Sequence, residues 1–149
     1  MNGFKFKFQK ILDYREHLET QEKHKFAAAL KKYTDKENLF NTSKTKRSEY
    51  LKNSRGLMEK GDFLGLVHRD KARNALILTV EDNKGELLKE RENLNRARAE
   101  LLEFTKKKKI MEKLREKSLE KYKTVVKKNS KKEIDEVSQN IYLRKDEEK

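Results

Sequence analysis

Proline is absent from the 149 residues, cysteine and tryptophan are absent too, and glycine occurs only five times. Each shortage excludes something. Chains with 44% charged and 34% apolar residues cannot build an ordinary globular core, which leaves disorder or long helices that bury one narrow stripe. Disordered chains are usually rich in proline, so the missing proline selects long helices. Without cysteine there is no disulfide framework and no thiolate metal site. No stretch approaches the ~20 apolar residues of a membrane span. The start, Met1 to Phe8, alternates apolar and basic residues and lacks the apolar run of a secretory signal. The expectation is a cytoplasmic protein, peripheral to a membrane at most.

What the chain has in abundance is positive charge, +13 in all. Thirteen Lys/Arg and three Glu fall between Thr105 and Lys132, so this segment alone carries +10. A basic stripe of this kind seeks anions: an acidic protein surface, anionic lipid or nucleic acid.

The length suits a single domain over residues 1–149. The first periodic stretch runs from about residue 4 to residue 58. Phe4, Phe8, Ile11, Leu12 and Leu18 share a face at its start. Phe26, Leu30, Tyr33, Phe40, Leu51 and Met58 come next in steps of three and four, the spacing of a coiled-coil seam. Glu37, Lys44, Arg47 and Ser54 interrupt that seam, and the register slips around Gln21 to Lys25. Gly56, Gly61 and Gly65 mark a turn at about 59–65, with Asp62 placed to cap the second helix. The second stretch covers about residues 66–143. Leu76, Val80, Leu87, Leu94, Leu101 and Tyr122 alternate in heptads with Ala97, Phe104, Met111 and Val125. Gly85 is a weak point within it, and Asn129-Ser130 a second place to bend.

Two such stretches joined by a short turn predict an all-α fold, a long antiparallel two-helix coiled-coil hairpin with the second helix longer. With the turn centred near Gly61, Ile11 and Leu12 face Ile110 and Met111. Leu30 then faces the Leu94 region, and Phe40 faces Val80. Lys106 to Lys109 flank Asp13, Glu16 and Glu19. The arms would be on the order of 80 Å long. The first arm ends opposite about Ser118, so the chain beyond has no internal partner. It still carries a stripe, Ile134, Val137 and Ile141, which reads as a partner-binding face.

Catalysis finds no support. His17 and His24 share a helix face but lie about two turns, roughly 10 Å, apart, too far for one metal ion. No glycine-rich phosphate loop is present. The carboxylates sit three or four residues from lysines, as solvated helix pairs do. No cofactor, metal or small-molecule substrate is expected. The lysine-rich segment has no recognition module for nucleic acid, and Tyr122 is its only aromatic residue. The bland reading of its charge is a solvated helix face; docking to an acidic protein surface is the main alternative.

Three segments carry a family resemblance. They are Phe6-Lys7-Phe8-Gln9-Lys10-Ile11-Leu12-Asp13-Tyr14-Arg15-Glu16, then Glu112-Lys113-Leu114-Arg115-Glu116-Lys117 with Glu120-Lys121-Tyr122, and finally Lys131-Lys132-Glu133-Ile134-Asp135-Glu136. Their order and spacing resemble the FliJ family of flagellar export proteins, over nearly the whole chain. The resemblance implies a non-enzymatic stalk component of the flagellar type III export apparatus, similar to the gamma stalk of rotary ATPases. Its implied partners are the hexameric export ATPase, whose ring it helps to assemble and activate, the membrane export gate and export chaperones. By the same resemblance the ATPase-facing surface comprises Phe8, Ile11, Leu12, Arg15, Glu112, Lys113, Leu114 and Tyr122. The gate-facing surface lies nearer the turn, with Tyr50, Leu76 and Asn83 the nearest matches, although their residue types depart from the family's. The chain alone is expected to be a monomer. Alternatives are the stalk of a virulence-type secretion system, a basic coiled-coil scaffold that dimerises through its seam, and a nucleic-acid binder.

Overall fold

A computed structural model describes residues 3–61 and 63–148, without the side chains of 57–60. The protein consists of two helices packed against each other, α1 (Gln9–Lys60, 52 residues) and α2 (Phe63–Glu147, 85 residues). Both are built from Lys, Glu, Leu, Arg and Ala, which lose little side-chain freedom in a helix. No proline interrupts either one.

The first arm enters its helix later than the sequence suggests. Phe4, Phe6 and Phe8 precede α1 rather than lying on its face. A backbone bond from Gln9 N to Phe6 O (3.2 Å) turns the chain, and Leu12 N to Phe8 O (3.0 Å) starts the helical ladder. The turn at the other end is shorter than expected. Gly56 lies inside α1 and Gly65 inside α2. Only Gly61 takes a left-handed conformation, at φ 72°. That conformation ends α1 and is nearly free of strain only for glycine. Space is not the constraint there, since a Cβ on Gly61 would meet nothing within 4 Å. Asp62, expected as a cap, lies outside the described residues, as do Lys149 and the side chain of Met58. α2 runs without a break through Asn129-Ser130, so the helix does not fray there. Arg144 and Lys145 in its last turn complement the negative end of the helix dipole.

Burial traces a more regular seam than the apolar residues alone indicate. Along α1 it passes through Leu12, Arg15, Glu19, Glu22, Phe26 and Ala29, and continues through Tyr33, Phe40, Ser43, Tyr50 and Ser54. The spacing of three and four never slips between Gln21 and Lys25; two glutamates hold it there. Leu30 and Lys44 are exposed, because their neighbours Ala29 and Ser43 take the inward positions. Along α2 the seam follows Leu76, Val80, Asn83, Leu87, Leu94 and Ala97, then Leu101, Phe104, Met111 and Tyr122. Val125, expected to extend it, is exposed.

The residues form two compact units. In the first, which joins the chain up to Leu18 with the chain from Phe104 onward, Phe6, Leu12 and Met111 form the core and Phe4 packs against them. Phe4 meets Tyr122 with ring centroids 5.6 Å apart, and Phe6 meets Phe8 edge to face at 5.9 Å. Such pairs contribute roughly 0.5–1.5 kcal/mol each beyond their buried area. Arg15 Nη1 donates to the Lys107 carbonyl at 2.8 Å. Leu12 and Met111 therefore share a core as the register predicts, whereas Ile11 and Ile110 are exposed. Adjacent helix positions point about 100° apart, so both isoleucines cannot face the seam beside Leu12 and Met111.

The second unit, Glu19–Glu103, includes the turn. Val80 and Leu94 are its buried apolar residues, with Glu19, Glu22 and Ser43 buried among polar ones. Ser43 Oγ accepts from Asn83 Nδ2 (3.0 Å) and donates toward the carbonyls of Leu39 and Phe40. This polar layer stands opposite in character to its neighbours, and a single such layer favours one register over shifted ones. Lys36 and Glu86 bridge the helices at 2.6 Å. The hydrogen bond to Glu86 holds the Lys36 ammonium above the usual lysine range, and the same bond holds the Glu86 carboxyl below the usual carboxylate range. Lys25 is likewise raised, first by its hydrogen bond to Glu22.

Candidate partner-binding surfaces

The predicted ATPase-facing residues all fall in the first unit, but they do not all face outward. Leu12 is only 4% exposed and belongs to the core. Arg15 is half-buried and bonded to the α2 backbone, and Tyr122 is half-buried against Phe4. Glu112 is half-buried and paired with Lys108 at 3.7 Å. The residues left facing solvent are Phe8, Ile11, Lys113 and Leu114. Tyr14 and Ile110 join them as exposed apolar side chains that the sequence motifs leave unassigned. Their signal was available: each lies next to a seam residue, one step round the helix.

A shallow groove between the helices is lined by Gln9, Leu12, Glu16, Glu112, Arg115 and Glu116. Its lining has three acids and one base, a composition suited to polar contacts with a partner rather than to enclosing a small ligand.

Beyond Tyr122 the helix changes character. Every described residue from 123 to 148 is exposed. Ile134, Val137 and Ile141 are exposed in this stretch, accompanied by Val125, Val126, Tyr142 and Leu143. Lysines 121, 123, 127, 128, 131 and 132 precede Ile134, with no acid between the first and the last of them. Apolar side chains on a helix without a neighbour leave dispersion and burial unrealised, which a partner can supply.

The residues matched to a gate-facing surface lie in the second unit. The Tyr50 hydroxyl donates to the Arg69 carbonyl at 2.9 Å, and the Arg69 guanidinium sits 5.6 Å from the Tyr50 ring centre. Asn83 is engaged by Ser43 and Leu76 is half-buried. Their interior roles are the clearer ones: they tie α1 to α2.

Among the described residues, no group of three His, Asp or Glu side chains is placed to hold a metal ion. Among the same residues, no helix is long and apolar enough to cross a membrane.

No curated protein and no solved structure matches the chain. The family described as "Flagellar FliJ protein" matches residues 4–147. That match takes in both helices, the core of Phe6, Leu12 and Met111, and the exposed end of α2. The chain belongs to the FliJ family, whose members are non-enzymatic components of the flagellar export apparatus.

Proposed function

We propose that this chain is the coupling stalk of the export apparatus and that its first unit engages the hexameric export ATPase. The observation that carries the proposal is the helix beyond Tyr122, exposed throughout while bearing Val126, Ile134, Val137 and Ile141. A helix with an apolar stripe and lysine flanks fits a sleeve lined by acidic and apolar side chains, as the gamma stalk fits its ring in rotary ATPases. Exposed Phe8, Ile11, Lys113 and Leu114 extend that surface along the first unit. The stalk promotes ring assembly and activity and contributes no catalytic group. It acts at the cytoplasmic face of the membrane, where the export gate and export chaperones are its further partners.

The test is ATP hydrolysis by the purified export ATPase, with and without this chain, at moderate salt. Stimulation that saturates at a fixed subunit ratio supports the proposal. Unchanged hydrolysis together with no co-sedimentation contradicts it. A nucleic-acid binder would instead show duplex binding that falls steeply with salt.

A further inference from the structure

The turn end of the hairpin has a chemistry unlike the rest of the second unit. Phe63 and Leu64 are 78% and 79% exposed, the two most exposed large apolar side chains among the described residues. Val67, one turn further along α2, is exposed as well. They open α2 immediately after the reversal at Gly61, so they lie at the end of the unit and not on its flank. Among the described residues of this end, Leu51, Ser54 and Leu66 are half-buried, whereas Phe63, Leu64 and Val67 stay exposed.

Behind this apolar end stands positive charge. Residues 52–73 hold six Lys/Arg against three Asp/Glu. Lys52, Arg55, Lys71 and Arg73 are exposed, with Asp70 the exposed acid among them. Lys71 and Arg73 lie about 12–15 Å from Phe63 along the axis of α2. Apolar groups at an interface sink roughly 5–10 Å into the headgroup–acyl boundary. Bases that far behind an apolar tip, with side chains able to reach forward, meet the phosphate layer. A purely polar acidic surface would satisfy the bases but would leave Phe63 and Leu64 uncovered.

We propose that the turn end, Phe63, Leu64 and Val67 backed by Lys52, Arg55, Lys71 and Arg73, is a wedge that enters the surface of an anionic lipid bilayer. The contact is shallow and reversible, since three side chains insert and the charge term is screened by salt. It is independent of the stalk reading, because it uses the other unit and requires no ATPase.

The chain has no tryptophan, so Phe63→Trp installs a single reporter at the tip. Full-length Phe63→Trp is titrated with vesicles of phosphatidylglycerol and phosphatidylethanolamine, and with phosphatidylcholine vesicles. The expected result is a blue shift of emission with the anionic vesicles, quenching by brominated acyl chains, and little change with phosphatidylcholine. In flotation, Phe63→Ser/Leu64→Ser should bind anionic vesicles at least about tenfold more weakly than the wild type. Lys127→Glu/Lys128→Glu, in the lysine-rich segment of the first unit, should bind within about twofold of it. Both altered apolar positions are highly exposed, so circular dichroism should be unchanged. Vesicle binding without a Trp shift would assign the contact to the lysine-rich segment and overturn the proposal. So would equal flotation of wild type and Phe63→Ser/Leu64→Ser, or no binding by the wild type, which would leave the apolar end to a protein partner.

Discussion

Leu12 and Ile11 are adjacent in sequence and differ tenfold in exposure, at 4% and 44%. Leu12 closes the small core with Phe6 and Met111, so truncation there opens a cavity that the surrounding helices fill only partly. Leu12→Ala should cost about 2–5 kcal/mol, and Ile11→Ala under about 1 kcal/mol. Urea unfolding followed by circular dichroism checks both, and equal losses would contradict the placement of Leu12. The Lys36–Glu86 bridge gives a second residue-scale expectation. Glu86 is held below its ordinary range, so its contribution is present above the ordinary carboxylate pKa and is lost as pH falls through the folded value. Lys36 is held above its ordinary range, so its contribution is present below the ordinary lysine pKa and is lost as pH rises through the folded value. The thermal midpoint of the wild type minus that of Glu86→Gln should therefore be small and positive at neutral pH and shrink in acid. A difference independent of pH from acid to neutral would show that the bridge is not the source. Surface pairs of this kind contribute little, so the trend matters more than the size.

At the scale of the element, α2 contains Gly85 in an exposed interior position where an added Cβ would meet nothing within 4 Å. Gly85→Ala should raise stability by about 0.5–1 kcal/mol, read as a higher urea midpoint; a lower midpoint would mean that the helix bends there in solution. The two long helices, their order and the Leu12–Met111 register were legible in the sequence, because missing proline and heptad spacing act through local chemistry. The seam itself was less so. Reading apolar residues alone chose Leu30 over Ala29 and saw a slip near Gln21, where Glu19 and Glu22 keep the spacing. Long glutamate side chains can lie along a seam with their stems inward and their carboxylates paired to nearby lysines: Glu19 with Lys23 at 2.6 Å, Glu22 with Lys25 at 2.9 Å. Hydrophobicity does not register such positions; periodicity does. The capping turn before α1 was missed because Phe4, Phe8 and Ile11, in steps of four and three, imitate a helix face, although Phe4 and Phe8 precede the helix. The residues assigned to the ATPase all fall in the first unit, but the division between Leu12 inward and Ile11 outward needed the helix phase.

At the scale of the whole molecule, the seam is thin. Among the described residues only Phe6, Leu12, Val80, Leu94 and Met111 are buried apolar residues, and no large side chain is completely buried. A helix pair with so little apolar burial depends on many small terms spread along its length. Membership of the FliJ family makes it a component of the flagellar export apparatus. The two proposals use different surfaces: ATPase contact falls to the first unit, lipid contact to the turn in the second. The most direct measurement compares two surface variants in the export ATPase assay, Ile11→Ser/Leu114→Ser and Phe63→Ser/Leu64→Ser. All four positions are exposed, so neither variant should lose its helix content. The first variant should lose most of the stimulation given by the wild type and the second should retain it; stimulation lost through the turn variant and kept by the other would contradict the stalk assignment.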